Sequence, residues 1–150
     1  MSKPIPEGQP TLGPNLVVDG GQEALGFYER AFGAEVVLRL DMGDKLMHGE
    51  MRIGDSILSI ADPFPDHGFV APTGDDCSQS LSIWVEDADA VHAQAVAAGA
   101  TELSAPADQF HGDRVGTLRC PYGHRWIIAS RTQEMTQEEM QRAMEEAFGG

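Results

Sequence analysis

The residues able to do chemistry fall into two short clusters. In His48-Gly49-Glu50-Met51-Arg52 an imidazole, a carboxylate and a guanidinium sit at alternate positions. On a strand that spacing sets all three on one face. A histidine and a glutamate two residues apart can hold a divalent ion, or act as base and acid, since imidazole titrates near neutrality. The same spacing also suits a solvated or salt-bridged strand face. His48 and Glu50 are therefore the catalytic candidates, and His48 is the first choice for a ligand-contacting histidine. The second cluster is Asp108-Gln109-Phe110-His111-Gly112-Asp113-Arg114. Arg114 can grip a carboxylate or phosphate through its planar fork, or can pair with an aspartate to hold a loop. Phe110 adds an aromatic face. His124 lies in a turn between Gly123 and a strand and reads as structural. His67, in a long loop, and His92, on an exposed helix face, carry no hypothesis. No Ser-His-Asp motif, nucleophile elbow, P-loop or GxGxxG fingerprint occurs, so nucleotide-dependent chemistry is not expected.

The whole chain narrows the classes. Its 150 residues allow one compact domain, or two small modules sharing a core. A net charge of -14 argues against nucleic acid and anionic membrane surfaces, which need basic patches. Cys77 and Cys120 lack the spacing of a zinc site or disulfide framework. The first residues lack the apolar core of a signal peptide, and no apolar run approaches the ~20 residues of a membrane span. The expectation is a cytoplasmic protein whose partner is a small molecule.

The elements that must position the clusters recur. Residues 1–10 hold three prolines and a glycine and read as an arm. Leu12 to Asp19 reads as a strand, Gln22 to Phe32 as a helix closed by Gly33, and Ala34 to Leu40, Lys45 to Ile53 and Ser56 to Ala61 as strands. A loop rich in proline and glycine runs from Asp62 to about Asp76. The order then repeats. Ser80 to Val85 alternates with period 2. Asp87 is placed to cap a helix from Ala88 to Ala98, and Gly99 ends it. Ala100 to Leu103 reads as a short strand. The stretch from Asp113 to Ser130 reads as strand, turn and strand. Gly33-Ala34 matches Gly99-Ala100 66 positions on, Val18-Asp19 matches Val85-Glu86 67 on, and Gly54-Asp55 matches Gly123-His124 69 on. Each half reads β-α-β-β-β, and one half alone has too little core, so the pair must share one. After residue 131, Thr136 and Glu139 fit a capping box with Met135 and Met140 as its hydrophobic staple. The helix runs to about Phe148, with Met140, Met144 and Phe148 as a buried stripe.

These residues resemble the vicinal oxygen chelate superfamily, the glyoxalase, bleomycin-resistance and extradiol-dioxygenase fold. The resemblance lies in the two units, the Phe27-Tyr28 helix, the Phe32-Gly33-Ala34 exit and the Gly123-His124-Arg125-Trp126 hairpin. It is closer to the PhnB-like branch, through His48 to Asp55, Asp62-Pro63 and Asp108 to Arg114. It covers about residues 11–131. It implies an α+β fold of two tandem βαβββ modules forming a curved mixed-sheet cleft. Module 1 is about 11–62, the linker 63–77, module 2 about 78–131, and 132–150 a C-terminal helix. It also implies a homodimer. Members that are enzymes hold a divalent metal with four side chains, mostly His and Glu. Matched through the helix and the two Gly turns, those positions fall near Gly13, Ser59, Ser80 and Ile127. Glycine and isoleucine offer no donor, and serine hydroxyls are poor ligands for zinc, nickel or iron. No metal ligands are therefore assigned and no cofactor is expected; a divalent ion would need a non-standard site.

If those positions point inward, strand parity assigns the rest. Asn15 and Val17 join Gly13, Ile57 and Ala61 join Ser59, Ser82 and Trp84 join Ser80, and Arg125 and Ala129 join Ile127. The opposite set, from Leu16 and Val18 to Trp126 and Ile128, is nearly all apolar, as a helix-covered face should be. The inner set mixes small, hydroxyl and aromatic groups, which suits a small-molecule cavity or the solvent side of a sheet. The expected ligand contacts are Asn15, His48, Ser59, Ser82, Trp84, Phe110, Arg114 and Arg125. The expected function is metal-independent binding of a small molecule in the cleft between the modules. The alternative is a lyase- or isomerase-type enzyme using a displaced metal or the His48 and Glu50 pair.

Overall fold

A computed structural model describes residues 2–149. They divide into two units, residues 1–76 and 77–150. The first holds β1 (Asn15–Val17), α1 (Gly21–Phe32), β2 (Glu35–Met42), β3 (Lys45–Ile53) and β4 (Ser56–Ala61). The second holds β5 (Ser80–Trp84), α2 (Ala88–Ala98), β6 (Thr101–Asp108), β7 (Asp113–Arg119), β8 (Arg125–Arg131) and α3 (Gln137–Phe148). Each unit has one mixed four-stranded sheet, ordered β1-β4-β3-β2 and β5-β8-β7-β6. In both, the first strand runs parallel to the last and the others are antiparallel. The tandem βαβββ reading and the α+β class therefore hold.

The repetition extends to single contacts. Val18 N–H donates to Ala61 O at 2.9 Å, and Val85 N–H donates to Ala129 O at 2.9 Å. In unit 1, α1 packs Leu25 against Gly49 of β3, where an added Cβ would lie 3.4 Å from Leu25 Cδ2. In unit 2, α2 packs His92 against Gly116 of β7, where an added Cβ would lie 2.7 Å from His92 Nδ1. Both glycines let a helix approach the sheet closely.

The cores follow the expected parity, except that Ile57 and Ala129 of the open-face set are buried too. Leu16, Val18, Leu58 and Ile60 are buried with Ala24, Leu25, Phe27, Tyr28 and Ala31 of α1. Trp126, Ile128 and Leu118 are buried with Ala88 and Ala95 of α2. The two αL or near-αL glycines expected to end the helices do so, Gly33 at φ 67° and Gly99 at φ 126°. Asp87 caps α2 by accepting from Ala90 N–H.

Four expectations change. Strand β1 is only Asn15–Val17, because Pro14 precedes it. Strand β6 runs to Asp108 and contains Pro106, which is tolerated because β6 is an edge strand and its pairing with β7 is irregular there. His92 is not on an exposed face; it is 3 % exposed and fills the position of Leu25. The Met140, Met144 and Phe148 stripe is not buried. The capping box between Thr136 and Glu139 forms as expected, yet α3 has no buried residue and Phe148 is 76 % exposed. Local sequence starts that helix, but its apolar side stays largely open, with Phe148 meeting Phe110 edge-on at 5.6 Å.

His92 yields a prediction. Its Nε2 lies 2.9 Å from Glu102 Oε2, while Nδ1 is buried with no hydrogen-bond partner. An unpartnered buried polar atom costs ~1–3 kcal/mol. His92→Leu, copying unit 1, should raise the unfolding midpoint, by about 1 kcal/mol in stability. Chemical denaturation reads this directly; an unchanged or lowered midpoint would show that the imidazole is well satisfied where it is.

Candidate functional site

The start of α1 sets the geometry of the site in unit 1. Gly20 occupies the N-cap with no side chain to offer. The orphan N–H groups are met instead by Asp62, which follows β4 and is 8 % exposed. Its Oδ1 accepts from Gly20 N–H at 3.1 Å, and its Oδ2 accepts from Gly21 N–H at 3.2 Å and from Leu46 N–H at 2.7 Å. A negative charge at a helix N-terminus is favoured by the helix dipole as well. Gly21 must be glycine, since a Cβ there would stand 2.7 Å from Leu46 Cβ and 2.8 Å from Asp62 Oδ2.

Beside this knot the pairing of β3 with β2 shifts, with Leu40 opposite His48 but Asp41 opposite Leu46. The extra residue, Met47, makes a β-bulge, a feature that re-aims side chains. Leu46 turns into the core, fully buried, while Met47 and His48 both line the open side of the sheet. There they border a depression of 490 Å³ lined also by Asn15, Val17, Ser59 and Ala61 of β1 and β4, Met42 and Lys45, and Pro63, Phe64 and Phe69 of the following loop. That loop is built, not slack. Phe64 and Phe69 form an antiparallel bridge around a 3-10 turn at Pro65–His67, and the Phe64 and His67 rings stack at 4.3 Å.

Asn15, Ser59 and Glu50 form one cross-strand row, for Asn15 is opposite Ser59 and Ser59 is opposite Glu50. His48 Nε2 lies 2.9 Å from Glu50 Oε2, and Glu50 Oε1 accepts from Gln9 of the N-terminal arm at 2.8 Å. The hydrogen bond to His48 holds the Glu50 carboxyl below its usual value, against a smaller opposing effect of burial. An ionised Glu50 orients the imidazole and leaves Nδ1 as the ring atom free of the carboxylate. The pair can position a ligand or move a proton. Phe64, Phe69, Met42 and Met47 are exposed apolar residues gathered at one depression, a mark of ligand surfaces.

The other expected contacts lie in unit 2. Ser82 and Trp84 lie on the open side of its sheet, Trp84 at 59 % exposure, and Arg125 lies there half-buried opposite Ser80. Arg114 points the other way, toward α2. Its Nε and Nη2 donate to Asp89 at 2.6 and 3.0 Å, and its Nη1 donates to Asp108 at 3.2 Å. These bonds hold Asp89 below and Arg114 above their ordinary values. The fork is thus filled by the protein's own carboxylates. Phe110 packs edge-on against His111 and Phe148, at 5.1 and 5.6 Å. Sequence reasoning named Asp62 only within a motif and did not give it a role, because its partners are 16 to 42 positions away. It missed the bulge, which no local signal announces.

Two units of this topology, with glycines under both helices and an open face on each sheet, define a class of tandem βαβββ proteins. The sequence model of the Glyoxalase/Bleomycin resistance protein/Dioxygenase superfamily matches residues 11–128, and the chain belongs to that superfamily. The uncharacterized proteins Mb0911c of Mycobacterium bovis and Rv0887c of Mycobacterium tuberculosis are each 35 % identical over 141 residues, 91 % of this chain and 93 % and 83 % of theirs. Among solved structures, TioX from Micromonospora sp. ML1 aligns with a TM-score of 0.67 at 23 % identity, over 80 % of this chain and 97 % of that one. A glyoxalase-related enzyme from Fulvimarina pelagi aligns at 0.66 and 24 %, over 82 % and 88 %. At that identity these structures share the fold.

The superfamily's enzymes use a divalent ion, so the donors matter. Ser59 and Ser80 offer only hydroxyls at the matched positions, and Gly13 and Ile127 offer nothing. No group of three or more His, Cys, Asp or Glu side chains among the described residues is placed to hold an ion. This donor set does not fit the metal.

The lowered Glu50 value has a direction in pH. A carboxyl depressed on folding stabilises above its unfolded value, 4.5 for glutamate, and that gain is lost as pH falls through the lower folded value. Glu50→Gln should remove this part of the acid loss. Melting curves from neutral pH to below pH 4.5 should show a shallower decline in the variant, and parallel curves would mean the pair does not form.

Proposed function

We propose that the chain binds a small, largely apolar molecule in the depression of unit 1, and does so without a divalent ion. The observation that carries this is the lining: four large apolar side chains, Met42, Met47, Phe64 and Phe69, around three convergent polar groups, Asn15, Ser59 and His48. Methionine and phenylalanine adapt to a flat apolar ligand, and the polar groups orient it. Lys45 at the border suits a ligand with an acidic group. The donor-poor matched positions support the metal-free reading. A second reading, a lyase- or isomerase-type enzyme, draws on the His48 and Glu50 pair, whose geometry is that of an oriented base.

We also read the chain as PhnB-like, on His48 to Asp55, Asp62-Pro63 and Asp108 to Arg114, and as a cytoplasmic homodimer. Two free cysteines agree with a reducing compartment. The edge strand β2 exposes all eight of its residues, including Val36, Val37, Leu38 and Leu40, and such an edge is usually covered.

A thermal-shift panel of aromatic and aliphatic acids tests the binding. A ligand at 100 times its dissociation constant stabilises by ~2.7 kcal/mol. Hits should vanish in Ala61→Phe, which fills the depression from a half-buried position, and should survive chelator. Hits indifferent to Ala61→Phe would move the site elsewhere. Hits abolished by chelator would restore a metal. Substrate turnover lost in His48→Ala would favour the enzyme reading.

A further inference from the structure

The open face of the unit 2 sheet carries a cluster that the reading above does not use. Asp113 opens β7 and is 7 % exposed, yet it is a carboxylate. Both its oxygens are engaged. Oδ1 accepts from Arg131 Nε at 2.9 Å, across the antiparallel pair Asp113 and Arg131, and Oδ2 lies 3.0 Å from His111 Nδ1. This contact holds the Arg131 guanidinium above its ordinary value. A buried carboxylate beside a permanent cation is anchored, and it anchors the imidazole in turn. His111 is one-third exposed, and its Nε2 has no hydrogen-bond partner among the described residues.

Arg131 links this pair to an aromatic surface. Its guanidinium lies 5.8 Å from the Trp84 ring centroid, a cation–π distance. Trp84 is 59 % exposed, the largest apolar group left uncovered on its sheet. In register, Trp84 is opposite Ala129 and Ala129 is opposite Val115, so a residue with a single methyl separates the indole from β7. The row is low in the middle. From β5 to β7 is two strand spacings, about 10 Å, which is the length of a two-ring aromatic.

We propose that Trp84, Arg131, Asp113 and His111 form a second ligand site, on unit 2, for a planar hydroxylated aromatic molecule of about two rings. The rings stack on the Trp84 indole beside the Arg131 guanidinium. The hydroxyl meets His111 Nε2. A hydroxyl can donate or accept, so it serves this nitrogen in either protonation state. Asp113 is a positioning residue: it sets the imidazole's orientation and does not touch the ligand.

The test uses 1-naphthol and naphthalene with the full chain, following indole N–H resonances by NMR. The Trp84 resonance is identified by its loss in Trp84→Leu. It should shift on titration with 1-naphthol, and naphthalene should bind about tenfold more weakly, the worth of one net hydrogen bond. His111→Ala should bring 1-naphthol down to the naphthalene affinity, and His111→Gln should recover part of the difference. Ala61→Phe should leave all of this unchanged, which separates the site from the depression of unit 1. The proposal is overturned by no shift at Trp84, by equal affinity for the two probes, by an unaffected His111→Ala, or by loss of binding in Ala61→Phe. The two-probe comparison on the unsubstituted chain needs no variant to fold.

Discussion

Unit 1 is held in its working shape by one buried carboxylate. Asp62 reaches three backbone N–H groups on two separate segments, the start of α1 and the start of β3. Its own N–H donates to Leu46 O. Each charge-assisted bond is worth ~1.5–3 kcal/mol net, and each N–H left without it would be a buried orphan. The consequence reaches the candidate site. By tying Leu46 to the end of β4, Asp62 settles which residues of β3 turn inward, and so brings Met47 and His48 together on the open face. Phe64 and Phe69 follow two and seven residues later, so the same anchor launches the loop that walls the depression.

The two units solve the same problem differently. In unit 2 the cap is local: Asp87, one residue before α2, accepts from Ala90 N–H. In unit 1 the N-cap is a glycine, and the charge comes from 41 positions away. At the centre of each helix the exchange goes the other way. Unit 1 keeps a leucine against its glycine, and unit 2 has a histidine with one nitrogen unpartnered. Topology and the helix-closing glycines are the same in both units, as are the glycines, Gly49 and Gly116, that let the helix approach the sheet closely. The side chains filling that frame have drifted, and so have those on the open faces. Unit 1 has an apolar depression with one oriented imidazole; unit 2 has an exposed indole beside an Arg, Asp and His chain.

That drift explains why membership of a superfamily says less about activity than about shape. The backbone of each module is reproduced wherever small residues and alternating apolar strands permit it. The metal chemistry of the superfamily's enzymes needs four donors, and serine, glycine and isoleucine do not supply them. Several carboxylates are engaged by the protein itself: Asp62 by a helix start, Asp113 by Arg131, Asp89 and Asp108 by Arg114.

Order along the chain, the doubled unit, helix ends at Gly33 and Gly99, the Asp87 cap and the capping box of α3 were all legible in the residues, since each depends on neighbours within about four positions or on simple alternation. So was the apolar, helix-covered side of both sheets. Three things belonged to the tertiary structure alone. One was the fate of long polar side chains: Arg114 turned to α2, and His92, whose helix gave no warning of a core position, was buried against Gly116. Another was the bulge at Met47. The third was the reach of Asp62. Each is settled by what lies opposite in space, for Asp62 across 16 to 42 residues of chain, and a one-dimensional pattern carries no record of which group will meet a charge once water is excluded.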